Sequence, residues 1–378
     1  MVKRIYLSAP HMGGNELKYI KEAFETNWIA PVGPNIDAFE EELCDYIGIN
    51  HGLAVSSATA GIHLALKYCG VKKGDYVFCS SFTFAGSCNP IMYEGAKPVF
   101  IDSEPETWNM SPLALQNAFN WALRQNKMPK AVIIVDLYGQ SAQYDKLIPV
   151  CKKYNVPVIE DAAEALGSSY QGVKCGTFGD INIFSFNGNK IITTSGGGMI
   201  VSNNEKAINK VRFWATQARD QARHYQHSEL GYNYRLSNVL AGIGRGQLKV
   251  LEERVNQKKS IYEKYEKEFN EIEDIEMMPI TDFGQSNYWL SVITLKANSR
   301  IKPIDIIIAL EKENIESRPA WKPMHLQPFY EEYKFFSHNV EIGSVSEDIF
   351  NRGVCLPSDT KMSDADMKRI LMIIKQLF

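Results

Sequence analysis

The sequence predicts an α/β protein: a large domain around a mostly parallel seven-stranded sheet, followed by a smaller α+β C-terminal domain. Three observations carry this expectation. Short, almost wholly apolar runs such as "AVIIV" (131–135) are what strands covered on both faces require. These runs alternate with stretches whose apolar residues recur at helical spacing, the pattern of an open α/β sheet. After about residue 270 the character changes, and "YWLSVITL" (288–295) reads as a strand of alternating type. A chain of 378 residues is long enough for roughly two domains. The division is placed near residue 250, giving a large domain over 1–250 and a small one over 251–378.

Taken in order, "NELKYIKEAFET" (15–26) predicts a helix with Leu17, Ile20 and Phe24 on one face, broken by the prolines and glycine of "NWIAPVGP". "NIDAFEEELCDYIG" is a second helix, with Phe39, Leu43 and Tyr46 along one side. "HGLAVS" is a buried strand. "TAGIHLALKYCG" is a helix whose Ile62, Ala65, Leu66 and Cys69 share a face, with Gly70 as its stop. "YVFCSS", "PVFIDS", "KAVIIVDLYG", "VPVIEDA", "INIFSFN" and "GGMIVS" complete seven strands, and "YDKLIPVCKKYN" is a helix between two of them. "GYNYRLSNVLAGIGRGQLKVLEERVNQKKSIYEKYEKEFN" (231–270) reads as one long helix or a broken pair that leaves the first domain. "IDIIIALEKENI" and "DADMKRILMIIKQLF" are helices of the smaller domain.

Composition removes several classes of function. A net charge of −3 lacks the basic excess of a protein that grips phosphate backbones, so no nucleic-acid partner is expected. No apolar run approaches the length of a membrane span, and "MVKRIYLSAP" has no secretory h-region. The seven cysteines are odd in number, widely spaced and without a CxxC pair. They read as reduced thiols of a cytoplasmic protein, not as disulfides or a zinc site. No metal is expected.

In open α/β sheets ligands sit beyond the carboxyl ends of the strands, and three chemically pointed residue groups fall there. In "VSSATAG", Ser56, Ser57, Ala58 and Thr59 lie between a strand and a helix. Unsatisfied N–H groups at a helix start attract anions, and small side chains admit a phosphate. An ordinary N-cap by Ser57 or Thr59 fits the same residues. The stretch is neither a Walker A loop nor a GxGxxG turn. In "VIEDAAEALG", Asp161 ends an apolar strand, where a carboxylate needs a partner. It reads as an N-cap or as the holder of a cationic ligand atom. Glu164, three residues on, fits a capping box equally well. In "FSFNGNKIIT", Lys190 follows a strand and a turn. A turn lysine belongs in water, whereas a buried amine has a lowered pKa and is a nucleophile toward aldehydes. An anion site, a carboxylate and an inward amine on one sheet edge together match pyridoxal 5′-phosphate (PLP), whose ring is an electron sink while its nitrogen stays protonated. Phe84 of "SFTFAG" is placed either to stack on such a ring or to pack in the core.

At this point the chain resembles the DegT family of sugar-nucleotide aminotransferases, within the fold-type I PLP enzymes. The matching segments include "NWIAPVGP", "SSATAGIHLAL", "SSFTF", "DLYGQ", "IEDAAEALGSSY", "GTFGDINIFSFNGNKIITTSGGGM" and "RPAWKPMHLQP", which run nearly end to end. The resemblance implies that Lys190 is the Schiff-base lysine, that Asp161 holds the ring nitrogen, and that Phe84 stacks where many relatives have tryptophan. It implies Glu164, where many relatives have glutamine, near the ring hydroxyl or phosphate. Ala58, Thr59 and Ser185 would bind phosphate, and Asn233 would reach the phosphate of a neighbouring subunit, making a homodimer with shared sites. His224, Tyr225, His227, Arg318, Trp321 and His325 are candidates for substrate contact; solvated loops and structural ion pairs explain them as well. Because Lys190 is retained where a dehydrating subset of the family has histidine, amino transfer is the implied reaction. The subgroup most similar makes 4-amino sugars for N-acetylbacillosamine. That implies L-glutamate as donor, UDP-2-acetamido-2,6-dideoxy-4-keto-glucose as acceptor, and pyridoxamine 5′-phosphate between the half-reactions. Action at sugar C3, dehydration, or a non-catalytic PLP-binding regulator are the alternatives.

Overall fold

The seven apolar runs are strands of one sheet in the computed structural model, which describes residues 3–341 and 343–378. They are β1 (His51–Val55), β2 (Tyr76–Ser80), β3 (Lys97–Ile101), β4 (Ala131–Val135) and β5 (Val158–Asp161), then, after a small hairpin of β6 (Ser169–Tyr170) and β7 (Val173–Lys174), β8 (Ile181–Ser185) and β9 (Gly198–Ser202). Further strands are β10 (Ile275–Met277), β11 (Gly284–Gln285), β12 (Ser291–Leu295), β13 (Arg318–Pro319), β14 (Phe335–Phe336) and β15 (Gly353–Leu356). The helices are α1 (Glu16–Glu25), α2 (Pro34–Ile47), α3 (Ala58–Tyr68), α4 (Ala85–Tyr93), α5 (Pro112–Arg124) and α6 (Tyr144–Lys153). They continue with α7 (Glu205–Ala215), α8 (Asn238–Leu248), α9 (Leu251–Phe269), α10 (Pro303–Lys312), α11 (Val345–Arg352) and α12 (Asp364–Lys375).

The large sheet has the order β1-β9-β8-β5-β4-β2-β3-β14, so an eighth strand, the two-residue β14, joins the seven expected ones. Only β9 runs against its neighbours. The unbroken apolar runs have a direct cause. Val77, Cys79, Ile133 and Ile159 point to one face, under α3, α4 and α7, while Phe78, Val132, Ile134 and Val158 point to the other, under α5 and α6. Each strand therefore buries both of its sides. Carboxyl ends of β2, β4, β5 and β8 open on one edge, which receives the site.

Beneath that edge Glu160 accepts the N–H groups of Phe178 and Gly179, and Asp136 accepts from Ala142 N–H and the Tyr144 hydroxyl. Burial raises the pKa of both carboxyls, that of Asp136 the more. The two bonds accepted by Glu160 hold the turn before β8.

Two expectations are corrected, and one left open between two alternatives is decided. On α1 the buried face is Glu16, Tyr19 and Ala23, packed on α8, while Leu17 and Phe24 lie exposed. The close approach needs small residues on α8: a Cβ at Gly246 would meet Glu16 N at 2.8 Å, and one at Gly242 would meet Tyr19 Cβ at 3.0 Å. The stretch 231–270 is a broken pair, α8 and α9, preceded by extended chain. The strand in "YWLSVITL" is buried at every position of β12, so it does not alternate. Ile293 and Leu295 pack under α9, α10 and α12, and Val292 packs against Leu137 and Tyr138 of the loop after β4. The small antiparallel sheet, β10-β12-β15-β13, is thus covered on both sides.

Gly198 opens β9 against the start of α3. A Cβ there would lie 2.6 Å from Ala58 N and 2.7 Å from the Ser57 carbonyl carbon. Both are backbone atoms that cannot swing away. Gly198→Ala is expected to lower stability by about 1–3 kcal/mol through overpacking, read by urea denaturation. An unchanged midpoint would show that the helix start yields freely.

Candidate active site

The start of α3 is built by Ser57, whose side chain accepts Ala60 N–H at 3.0 Å. The capping reading of "VSSATAG" is therefore realised, and it leaves the N–H groups of Ala58 and Thr59 at the mouth of the helix, where no intrahelical acceptor exists. They face a cavity of about 630 Å³, within the size range of ligand sites.

Asp161 reaches the same cavity from the end of β5 and is only 4% exposed. No helix follows it: residues 162–168 form turns, held by Asn287 Nδ2, which donates to the carbonyls of Glu164 and Leu166. The N-cap and capping-box readings of Asp161 and Glu164 therefore fall. Ser87 Oγ donates to Asp161 Oδ2 at 2.6 Å and is itself backed by Thr83 Oγ1 at 2.7 Å; Ala163 N–H reaches Oδ1 at 3.2 Å. Burial raises the Asp161 pKa, while the Ser87 and Ala163 bonds and the Lys190 charge pull it back. A carboxylate buried without a cation in contact is expensive, and a cationic ring nitrogen is a group that would complete it.

Lys190 closes the turn after β8, its N–H bonded to Asn187 O. Its side chain is 11% exposed. Nζ lies 3.2 Å from Glu164 Oε1 and 4.1 Å from the centroid of the Trp289 ring. The turn thus supplies the backbone geometry of a surface lysine, and the aromatic floor and carboxylate draw the amine inward. Glu164 Oε2 also accepts Tyr138 N–H at 2.7 Å; burial raises its pKa and Lys190 lowers it. Tyr138 sits at φ +53°, a left-handed conformation held because its hydroxyl accepts Trp321 N–H and its N–H reaches Glu164.

Phe84 ends the loop after β2, 63% exposed, with its ring facing the cavity and 5.8 Å from that of Trp321. An exposed phenyl beside a cavity is poor core packing, which leaves a stacking surface. Ser185 lines the cavity at the end of β8, and Arg318 and Trp321 line it from the later chain. Arg318 is exposed and pairs with Glu316 at 2.8 Å.

The remaining candidates lie elsewhere. His325 does not line the cavity: its ring stacks on Phe335, and its nitrogens meet Ser81 Oγ at 2.6 Å and Glu347 Oε1 at 3.0 Å. Both polar atoms are committed to structure. His224, Tyr225, His227 and Asn233 are exposed on the segment between α7 and α8, outside this chain's cavity. Ser87, Tyr138 and Trp289 escaped the sequence reading. Ser87 stands one helical turn after Phe84, a spacing that was legible. Trp289 comes from the segment leading into β12, about 100 residues away, and nothing local marks it.

The arrangement fits PLP on its own chemistry: free helix-start N–H groups for a phosphate, a buried acid for a cation, an amine for an aldehyde and an aromatic face for a ring. Comparison with known proteins points the same way. The sequence model of the DegT/DnrJ/EryC1/StrS aminotransferase family matches residues 10–375. The chain is 55% identical over 378 residues to a candidate pyridoxal phosphate-dependent aminotransferase, EpsN, of Bacillus subtilis (strain 168), covering 100% of this chain and 97% of the relative. It is 34% identical over 375 residues to GDP-perosamine synthase of Caulobacter vibrioides, covering 99% and 98%. The crystal structure of a DegT DnrJ EryC1 StrS aminotransferase from Brucella abortus superposes with a TM-score of 0.88 at 26% identity, covering 96% and 95%.

Proposed function

Because the chain belongs to the DegT/DnrJ/EryC1/StrS family and is a PLP-dependent sugar aminotransferase, we propose that it moves the amino group of L-glutamate to C4 of a UDP-linked 4-keto-6-deoxy sugar. The acceptor in this reading is UDP-2-acetamido-2,6-dideoxy-4-keto-glucose, as in N-acetylbacillosamine synthesis. The observation that carries it is the shared cavity of Lys190, Asp161 and the open start of α3. Bound PLP supplies the electron sink for charge developing at the substrate carbon.

The chain's own residues do the rest. Lys190 Nζ is the amine that would hold the cofactor at its aldehyde, and it is placed to take up or give a proton at the substrate carbon. The inward pull of Glu164 and Trp289 keeps that amine away from bulk water. Asp161, oriented by Ser87, would hold the positive ring nitrogen. Ala58 and Thr59 N–H groups and Ser185 bind the phosphate. Phe84 would offer its face to the ring, and Glu164 would offer a carboxylate beside it. Arg318 and Trp321, at the mouth, meet the nucleotide sugar.

A homodimer completes the site in this reading. Leu17, Phe24, Trp28, Ile29 and Val32 are all at least 46% exposed and close together in sequence, an apolar surface of the kind a partner covers. Asn233, His224, Tyr225 and His227, outside their own cavity, then serve the neighbour's. The division near residue 250 and a cytoplasmic location belong to the same proposal; among the described residues no helix is long and apolar enough to cross a membrane.

Steady-state kinetics with L-glutamate and the UDP-4-keto sugar test it. Because one cavity takes both substrates in turn, parallel double-reciprocal lines and a 4-amino product by NMR are expected. Intersecting lines, or amination at C3, would overturn it. The GDP-named relative makes the GDP-linked keto sugar the necessary comparison: preference for it removes the UDP assignment and leaves the aminotransferase.

A further inference from the structure

Lys258, on α9, has no place in the chemistry above, yet it is 3% exposed. Its Nζ donates to Ser358 O at 2.8 Å, Trp289 O at 2.9 Å and Ser8 Oγ at 3.2 Å. Three acceptors match the three protons of an ammonium. Burial pulls the amine's pKa down to about 7, with the nearby Asp359 carboxylate acting against that shift.

Two of the three partners reach Lys190 in one more step. Ser8 Oγ donates to Asn189 O at 3.0 Å, and Trp289 Nε1 donates to the same oxygen at 2.7 Å. Asn189 immediately precedes Lys190 in the chain. The Trp289 ring is also the floor under Lys190 Nζ. One buried amine therefore joins the N-terminal segment, the segment leading into β12 and the loop after β15, and all but the last of these converge on the peptide before Lys190.

We propose that Lys258 is a positioning residue for amino transfer: it clamps Trp289 and Ser8, which together hold the Asn189 carbonyl and so aim the Lys190 amine. This rests on the Lys190 reading above. A lysine needed only for stability would give a fold whose loss or retention says nothing about Lys190. A positioning lysine ties the variants of Ser8 and Trp289 to its own.

The test is borohydride trapping of PLP on Lys190, followed as the mass gain of the peptide containing it, in the wild type and in Lys258→Met, Ser8→Ala, Trp289→Phe and the double variants. Trp289→Phe keeps an aromatic ring under Lys190 but removes both the Nε1 donor and part of the indole, so Ser8→Ala, which removes only a hydroxyl, is the cleaner of the two. The wild type labels at Lys190; if it does not, the Lys190 reading and this proposal fall together. Lys258→Met is expected to slow trapping by about tenfold to a hundredfold, the range of a small misplacement of a reacting group. In that background Ser8→Ala and Trp289→Phe should add little, because the clamp is already open. Full, independent losses in the double variants, or trapping at the wild-type rate in Lys258→Met, would overturn the clamp while leaving Lys190 in its role. Should Lys258→Met not fold, the single variants decide: slowed trapping at an unchanged melting temperature supports the proposal, and unchanged trapping refutes it.

Discussion

Lys190→Ala is expected to lose covalent retention of PLP and at least about a thousandfold in turnover, within the range that one positioned acid–base group supplies. Among the described residues Lys190 is the only lysine on the cavity wall, so no second amine stands ready to take its place. The variant should still fold, because Asp161, Ser87 and the turn 162–168 keep their own bonds. Its stability carries a pH signature. Burial already raises the Glu164 pKa above its ordinary 4.5, and Lys190 is the chief force lowering it. Without that ammonium the folded pKa rises further. A carboxyl whose folded pKa exceeds its unfolded one favours folding fully below the unfolded value, and that contribution is lost as pH rises through the folded value. The variant's deficit against the wild type should therefore be larger at pH 8 than at pH 5 in thermal melts of the cofactor-free protein. A near wild-type turnover would remove Lys190 from the chemistry. A deficit that does not change with pH would remove Glu164 as its partner.

Asp161→Asn is expected to leave PLP attached but to cut turnover by about a hundredfold to a thousandfold, the cost of one preorganised electrostatic contact in a closed site. An amide fits the same space and accepts the Ser87 hydroxyl, yet it cannot hold a positive charge on the ring nitrogen. In the cofactor-free protein the same change relieves a buried acid and forfeits one accepted hydrogen bond, opposing effects each on the order of 1 kcal/mol. The melting temperature should move little. A large drop in stability with proportionate loss of activity would instead make Asp161 a structural carboxylate.

The seven strands were legible because a strand buried on both sides leaves a local trace, an apolar run that no exposed element tolerates. Asp161 and Ser57 were legible for a related reason: a polar residue at the end of such a run must be explained. Ser87 followed the helical period and could have been read. The face of α1 was misread because Leu17 and Phe24 are as apolar as Tyr19 and Ala23, and only the glycines of α8 select which face the chain itself buries. His325 was misread because a histidine in a proline-flanked loop looks available until Ser81 and Glu347 are seen to hold both nitrogens.

By itself, then, the sequence determined the sheet, the helix start that opens on the cavity, and the three residue types at the strand ends, since each follows from short-range patterning of burial and charge. Tertiary structure alone decided that Glu164 and Trp289 draw the Lys190 amine inward, that Ser87 orients Asp161, and that Lys258 reaches the Asn189 peptide through two intermediaries. Those contacts join residues 26 to 250 positions apart. Only the closed packing of distant segments brings them together, and no local pattern in the chain records the partner.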